Sequence, residues 1–171
     1  MITIYITLSL ALGISLITDI KNRKILNIVT FPTILFGLLF HSITQGWDGF
    51  FFSGAGLLVG IGTLLIPFLL GGMGAGDVKL MGAVGALMGS AFTLKAFVVV
   101  ALIGGLISLI LILKKNGLMH SLRSLYIFPV LLSGTKGMIH LKPDAKSSIA
   151  FPYGVPIVLG TLLTVVWGVV S

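Results

Sequence analysis

Long apolar stretches alternate with short polar connections along this chain. Six apolar stretches stand out, at Ile2–Ile20, Val29–Thr44, Phe50–Leu70, Val78–Phe92, Ala96–Leu113 and Phe151–Val170. A membrane-spanning helix needs about 20 apolar residues, or about 17 at the short end, and lipid offers backbone groups no partner outside a helix or a closed barrel. The pattern therefore predicts an all-α, polytopic membrane protein, a bundle of six transmembrane helices in which the shorter stretches are tilted or extended by their flanks.

The composition agrees with a membrane protein. Of the 171 residues, 57% are hydrophobic and 9% are charged, whereas soluble domains are about a quarter charged. We expect a single membrane-embedded domain over residues 1–171, with one sizeable polar region, a basic loop at about 114–150. The absence of cysteine excludes disulfides, zinc–thiolate sites and thiol nucleophiles. His41, His120 and His140 lack metal-ligand spacing, so we expect interfacial histidines and neither a metal site nor another cofactor.

The basic residues predict how the chain is oriented. With the N-terminus outside, every lysine and arginine except Lys95 lies on the cytoplasmic side, which is a strong positive-inside signal. Trp47 and Trp167 then fall at the outer interface, and Asp19 and Asp77 at the inner one. The net charge of +7 is explained by this topology and by anionic membrane lipids rather than by nucleic acid. We expect a multi-pass protein of the cell (inner or plasma) membrane.

Two aspartates at the edges of apolar stretches are the candidate chemistry. Asp77 ends the string Gly74-Ala75-Gly76-Asp77, and Asp19 closes the first stretch. Carboxylates are costly in such places, so each is a functional-site hypothesis by default. Two carboxyl groups a few ångströms apart retain one proton, so that one acts as an acid while the other deprotonates water. This arrangement predicts an aspartyl protease that works at the cytoplasmic face of the membrane.

The surroundings of the two aspartates leave alternatives open. Four glycines without Cβ atoms would let the chain turn sharply and a substrate lie close to the backbone, at Gly71, Gly72, Gly74 and Gly76. Equally, a glycine-rich linker before Asp77 is typical of a turn and a helix N-cap, and Asp19 is also interpretable as an interfacial partner of Lys21 or Arg23. Lys79 would either lower the pKa of an aspartate or bind the substrate, or it is an anchor whose long side chain reaches the membrane interface.

Small residues after Asp77 predict that the fourth stretch is central. Gly82 and Ala86, and likewise Gly85 and Gly89, form small-xxx-small pairs. Such pairs let helix backbones approach closely in membranes. We therefore expect neighbouring helices to surround this stretch.

Three strings resemble one known family. The string Gly74-Ala75-Gly76-Asp77-Val78-Lys79-Leu80 resembles the Gly-x-Gly-Asp motif of the prepilin peptidases, which are the type IV leader peptidase family of membrane aspartyl proteases. The string from Asp19 to Asn27 is similar to the family's first aspartate and the basic stretch after it, although Leu26 stands where the family often has proline. Phe151-Pro152-Tyr153-Gly154-Val155-Pro156 resembles the motif that opens the last helix. The size and layout match the short branch that serves Tad-type or archaeal-type pili.

The resemblance implies a function and a set of site residues. It implies an aspartic endopeptidase with Asp19 and Asp77 as catalytic residues. The implied substrates are prepilin-like precursors that have a short basic leader, a glycine before the cut and an apolar helix after it. It further implies substrate-binding or site-shaping positions at Gly74, Gly76, Lys79, Pro152 and Gly154. Pro152 and Gly154 either line the site or simply begin the last helix. Because the cysteine-bearing insertion of the longer, methylating members is absent, the resemblance implies peptidase activity without methylation.

Two other functions compete with the peptidase. A small proton- or cation-coupled transporter would use the same aspartates as a relay, although transport sites lie nearer the membrane midplane. A non-catalytic assembly partner would need neither aspartate. Besides protein substrates and membrane lipids, the sequence indicates no partner, and it leaves the oligomeric state open.

Overall fold

The computed structural model describes residues 2–115 and 153–170, and all regular structure within these two ranges is α-helical. The elements are α1 (Ile2–Asn22), α2 (Asn27–Leu69), α3 (Ala75–Met88), α4 (Ser90–Lys115) and α5 (Gly154–Val170). The predicted all-α class is confirmed for these residues. The basic loop from residue 116 onward and the candidate Pro152 lie outside them.

Three of the helices could cross a membrane by length and composition. They are α1, α2 and the part of α4 from Ser90 to Ile110. Their outer surfaces carry large apolar side chains, and Leu10, Leu58 and Leu102 are each more than half exposed. Lipid accepts such side chains without cost, whereas water does not. By comparison, α3 has 14 residues and α5 has 17, at or below the usual minimum for a span.

The long helix α2 consists of two helices that meet at Gly46. This residue has φ 62° and ψ −137°, a conformation that favours glycine. A Cβ atom on Gly49 would overlap the backbone carbonyl of His41, although residues eight apart in a straight helix are separated by about 12 Å. The chain therefore folds back at Gly46, and the break predicted between Thr44 and Phe50 is confirmed.

Helix α3 packs against both halves of α2. Gly37 in the first half lies against the backbone of Ala86, and Gly56 in the second half lies against the backbone of Gly85. One turn further along, Gly60 lies against the carbonyl of Met81. Glycine is needed at these positions because a Cβ atom would overlap the facing backbone. Most residues of α3 are consequently buried, as its small residues predicted.

The end of α3 differs from the predicted boundary. The fourth apolar stretch runs to Phe92 in the sequence, but α3 ends at Met88 and α4 begins at Ser90. Between them, Gly89 adopts φ 82° with the ring of Phe52 directly against its Cα atom. A residue with a side chain would be strained there and would also collide with the ring. The packing of Phe52 therefore separates α3 from α4.

Two polar side chains of α2 bind the last carbonyl groups of α3. His41 Nε2 lies 3.0 Å from the Leu87 carbonyl, and Ser53 Oγ donates to the Ala86 carbonyl at 2.7 Å. Helix ends leave carbonyl groups without intrahelical partners, and buried ones need other donors. The ring of His41 is buried, where it can serve this buried helix end.

Helices α1 and α5 complete the described core. Leu8 and Leu12 of α1 belong to the same apolar cluster as Ile157 and Val158 of α5. In addition, Gly160 of α5 lies against the backbone of Val100 in α4. The part of α4 from Gly105 onward belongs to a separate unit from these helices.

The glycine contacts of α3 lead to a stability prediction. We expect Gly56→Ala to lower the free energy of unfolding by about 2 kcal/mol or more, because overpacking a rigid contact costs about 1–3 kcal/mol and both facing groups are backbone. The measurement is the thermal midpoint of helical circular dichroism in detergent. Gly62→Ala in the same half of α2 is the matched control, since no atom lies within 4 Å of its new Cβ. Equal midpoints for the two variants would contradict the prediction.

Candidate active site

The predicted site residues lie where four helix ends meet. Asp19 is in the last turn of α1, and Asp77 is in the first turn of α3. The start of α5 contacts Asp19, and the connection between α1 and α2 contacts the start of α3. Both carboxyl groups are buried, with exposed fractions of 4% for Asp19 and 7% for Asp77.

The turn before α3 positions Asp77. The amide of Gly74 donates to Asp77 Oδ2 at 3.0 Å, and the Asp77 amide donates to the Gly74 carbonyl at 3.1 Å. Gly74 itself is extended, with φ −84° and ψ 153°, which any residue adopts. Within the turn, Gly71 has φ 75° and is the position that requires glycine for its backbone. The turn that the sequence offered as an alternative is therefore present, but Gly74 and not Asp77 is the N-cap residue, and Asp77 is the third residue of α3 with its side chain buried.

The start of the last helix positions Asp19. The amide of Gly154 donates to Asp19 Oδ2 at 2.9 Å across 135 residues of sequence. A Cβ atom on Gly154 would lie 2.6 Å from that oxygen, so the close approach requires glycine. The first amides of a helix have no intrahelical partner and carry partial positive charge, which favours a carboxylate beside them. Lys21 and Arg23, the alternative partners suggested by the sequence, have exposed side chains.

The two aspartates are electrostatically coupled. Asp77 lies outside the three candidate membrane spans. Burial raises the pKa of its carboxyl from 3.8 to about 6, the hydrogen bond from Gly74 opposes the rise, and the charge of Asp19 adds to it. A like charge has this effect only when it is near. Geometry agrees that the two helix ends are neighbours, because Ile25, just after α1, contacts Gly76 beside Asp77.

Gly76 and Lys79 contact the other side of the site. A Cβ atom on Gly76 would lie 2.9 Å from the Cβ of Ile25, so glycine allows the connection after α1 to rest on α3. Lys79 Nζ donates to Asn27 Oδ1 at 3.0 Å and lies 5.0 Å from the centroid of the Phe31 ring. Sequence reasoning missed Ile25 and Asn27, although both belong to the string that resembles the family.

Within residues 2–115 and 153–170, no group of three histidine, cysteine or acidic side chains could hold a metal ion. The groups assembled at the site are two carboxyls and two backbone amides. Carboxyl pairs of this kind can exchange protons with water. The arrangement is therefore suited to acid–base chemistry.

Comparison with known families assigns the chain. The model of the type IV leader peptidase family matches residues 6–110, which include Asp19 and the string from Gly74 to Lys79. The chain belongs to the type IV leader peptidase family. No curated protein and no solved structure matches it closely enough for comparison.

Family membership establishes the broad class of the protein. The resemblance seen in the sequence is confirmed, and the family is one of leader-cleaving proteases. With its long apolar helices, a member of this family is an integral membrane protein. The match ends before α5, so the role of the contact between Gly154 and Asp19 must be tested directly.

The contact between Gly154 and Asp19 leads to the second prediction. We expect Gly154→Ala to lower peptidase activity by about 10- to 100-fold, because the new methyl group displaces the carboxyl and a misplaced group costs about that much. The measurement is precursor cleavage in membranes that contain equal amounts of each variant. Gly168→Ala, in the same helix with no atom within 4 Å of its new Cβ, should keep the parent rate. Equal rates for all three proteins would refute the role of Gly154.

The raised pKa of Asp77 leads to the third prediction. The Asp77 carboxyl keeps its proton up to about pH 6 in the folded state but loses it near pH 3.8 in the unfolded state. As pH rises from 3.8 to about 6, the parent therefore loses stability relative to a variant with no charge at this position. We expect Asp77→Asn to match the parent near pH 4 and to exceed it by about 2–3 kcal/mol above pH 6. The measurement is the free energy of unfolding at pH 4, 5, 6 and 7. A difference between Asp77→Asn and the parent that stays constant from pH 4 to pH 7 would disprove the prediction.

Proposed function

We propose that this protein is an aspartic endopeptidase that cleaves the short basic leader of prepilin-like precursors at the cytoplasmic face of the membrane. Its catalytic residues are Asp19 and Asp77. The observation that carries the proposal is that both carboxyls are buried at neighbouring helix ends, each bound by a backbone amide, in a chain of the leader peptidase family.

The two carboxyls divide the work of hydrolysis between them. In the reactive state the pair holds one proton. The ionised carboxyl takes a proton from water as the water attacks the peptide carbonyl, and the protonated carboxyl supplies a proton to the substrate. Breakdown of the tetrahedral intermediate transfers a proton to the leaving amine and returns the pair to its single proton. Because the pair titrates as a unit, the base is assigned to the pair rather than to one residue.

Depth in the membrane supports a peptidase over a transporter. Asp19 is in the last turn of its helix and Asp77 is in the first turn of its own, whereas transport sites lie near the midplane in the middle of broken helices. A basic leader held in the cytoplasm by its charge would present its cut site at the membrane edge. The proposed orientation therefore has the N-terminus outside and the carboxyl pair facing the cytoplasm.

The proposed topology has six spans. The two halves of α2 on either side of Gly46 count as separate spans, and the other four are α1, the part of α3 from Val78 onward, α4 and α5. The short helix α3 is surrounded by protein rather than lipid, so its length need not match the bilayer. An even number of spans returns the C-terminus to the side of the N-terminus.

Cleavage of a leader-bearing model pilin tests the proposed function. We expect Asp19→Asn and Asp77→Asn each to lower the rate at least about 100-fold, since acid–base groups contribute about 10²–10⁴. The measurement is the mobility shift of the pilin in membranes that contain each variant, with insertion checked by protease accessibility. Asp48→Asn and Asp144→Asn are the matched controls and should cleave at the parent rate.

The same experiment discriminates the competing functions. Cleavage at the parent rate by a correctly inserted Asp77→Asn variant would overturn the peptidase mechanism. Aspartate-dependent ion flux in liposomes, without cleavage of any precursor by the parent, would favour the transporter. If Asp19→Asn and Asp77→Asn change neither pilin cleavage nor ion flux, the result would favour a non-catalytic assembly partner.

A further inference from the structure

Lys79 is engaged with the start of α2. Its ammonium group donates to Asn27 Oδ1 at 3.0 Å, and the same group lies 5.0 Å from the centroid of the Phe31 ring. A hydrogen bond to a charged donor and a cation–π contact each favour one position of the ammonium group. Both partners belong to the first two turns of α2. Lys79 therefore joins the start of α3 to the start of α2.

Helical geometry separates this contact from Asp77. Residues two apart in a helix point to different sides, whereas residues three apart share a face. Asp77 and Lys79 are two apart, while Gly76 and Lys79 are three apart. Gly76 contacts Ile25, just as Lys79 contacts Asn27. One face of the first turns of α3 thus contacts residues 25–31. A different face of the same helix carries the carboxyl group of Asp77.

The connection between α1 and α2 transmits this contact to Asp19. Arg23 follows the end of α1 with φ 51°, and its amide donates to the Asp19 carbonyl at 2.8 Å. Only the short run from Arg23 to Leu26 separates α1 from α2. A shift of the start of α2 relative to α3 would therefore also shift the end of α1.

We propose that Lys79 is a positioning residue, which acts through Asn27 to hold Asp77 at its distance from Asp19. Its effect on cleavage rests on the proposed function, but its effect on the spacing of the two positions does not. The two interpretations from the sequence predict otherwise. An interfacial anchor would need no partner on α2, and a substrate contact would alter substrate binding.

Kinetics of single and double variants test the proposal. We expect Lys79→Met and Asn27→Leu each to lower kcat about fivefold with KM unchanged, since a net hydrogen bond of about 1 kcal/mol corresponds to that factor. The double variant should be no slower than either single variant, because both changes remove one contact. Lys24→Met removes the same charge from an exposed side chain in the connection and should keep the parent kcat. The proposal would be overturned if the double variant lost kcat by the product of the two single losses, or if Lys79→Met raised KM.

A second measurement needs no enzymatic activity. The chain contains no cysteine, so Asp19→Cys and Asp77→Cys introduce the sole two thiols. A short bifunctional thiol reagent then reports how often the two positions come within its span. We expect Lys79→Met or Asn27→Leu to slow this cross-linking about fivefold and Lys24→Met to leave it unchanged. An unchanged rate in all three would refute positioning, whereas slower cross-linking with no cleavage by the parent would refute the peptidase alone.

Discussion

Close backbone contact between α3 and the two halves of α2 is the constraint on which the site depends. Without a hydrophobic driving force between helices in lipid, association relies on packing, and glycine lets backbones approach most closely. Gly37 and Gly56 fit against Ala86 and Gly85, so α3 is enclosed along its length. Enclosure requires donors for the carbonyl groups at the end of α3, which His41 and Ser53 supply. At the other end it puts the buried carboxyl of Asp77 against protein rather than lipid.

The two aspartates are held in the same way by different helices. Each carboxylate accepts a bond from an amide at a helix start, from Gly74 before α3 and from Gly154 at α5. Such amides favour the ionised form, while burial and a neighbouring charge oppose it. For Asp77 the opposing effects are larger, and the pKa rises to about 6. A carboxyl whose pKa is raised in this way keeps its proton at a higher pH than an exposed carboxyl does, which suits the acid in acid–base chemistry.

The sequence predicted the elements of this fold better than their contacts. Apolar length predicted the helices, the gap between Thr44 and Phe50 predicted the fold-back of α2, and the cost of burying a carboxylate made Asp19 and Asp77 the candidates for the site. The end of α3 at Met88 was not predictable, because it depends on the ring of Phe52 from another helix. Small residues marked the packed face of α3 but not its partners, since the rotation of each neighbouring helix is a tertiary property. The bond from Gly154 to Asp19 spans 135 residues, a distance at which local patterns carry no information.

The glycines around Asp77 have separate physical roles that their common sequence context conceals. Gly71 supplies the positive φ of the turn, whereas Gly74 is extended and contributes its amide. Gly76 lies within the helix and is small because Ile25 rests on it. A motif of glycines beside an acid therefore combines a turn, a donor and a contact surface within the six residues from Gly71 to Gly76. Flexibility is not what these positions have in common, since two of the three hold neighbouring groups in fixed positions beside the carboxyl pair.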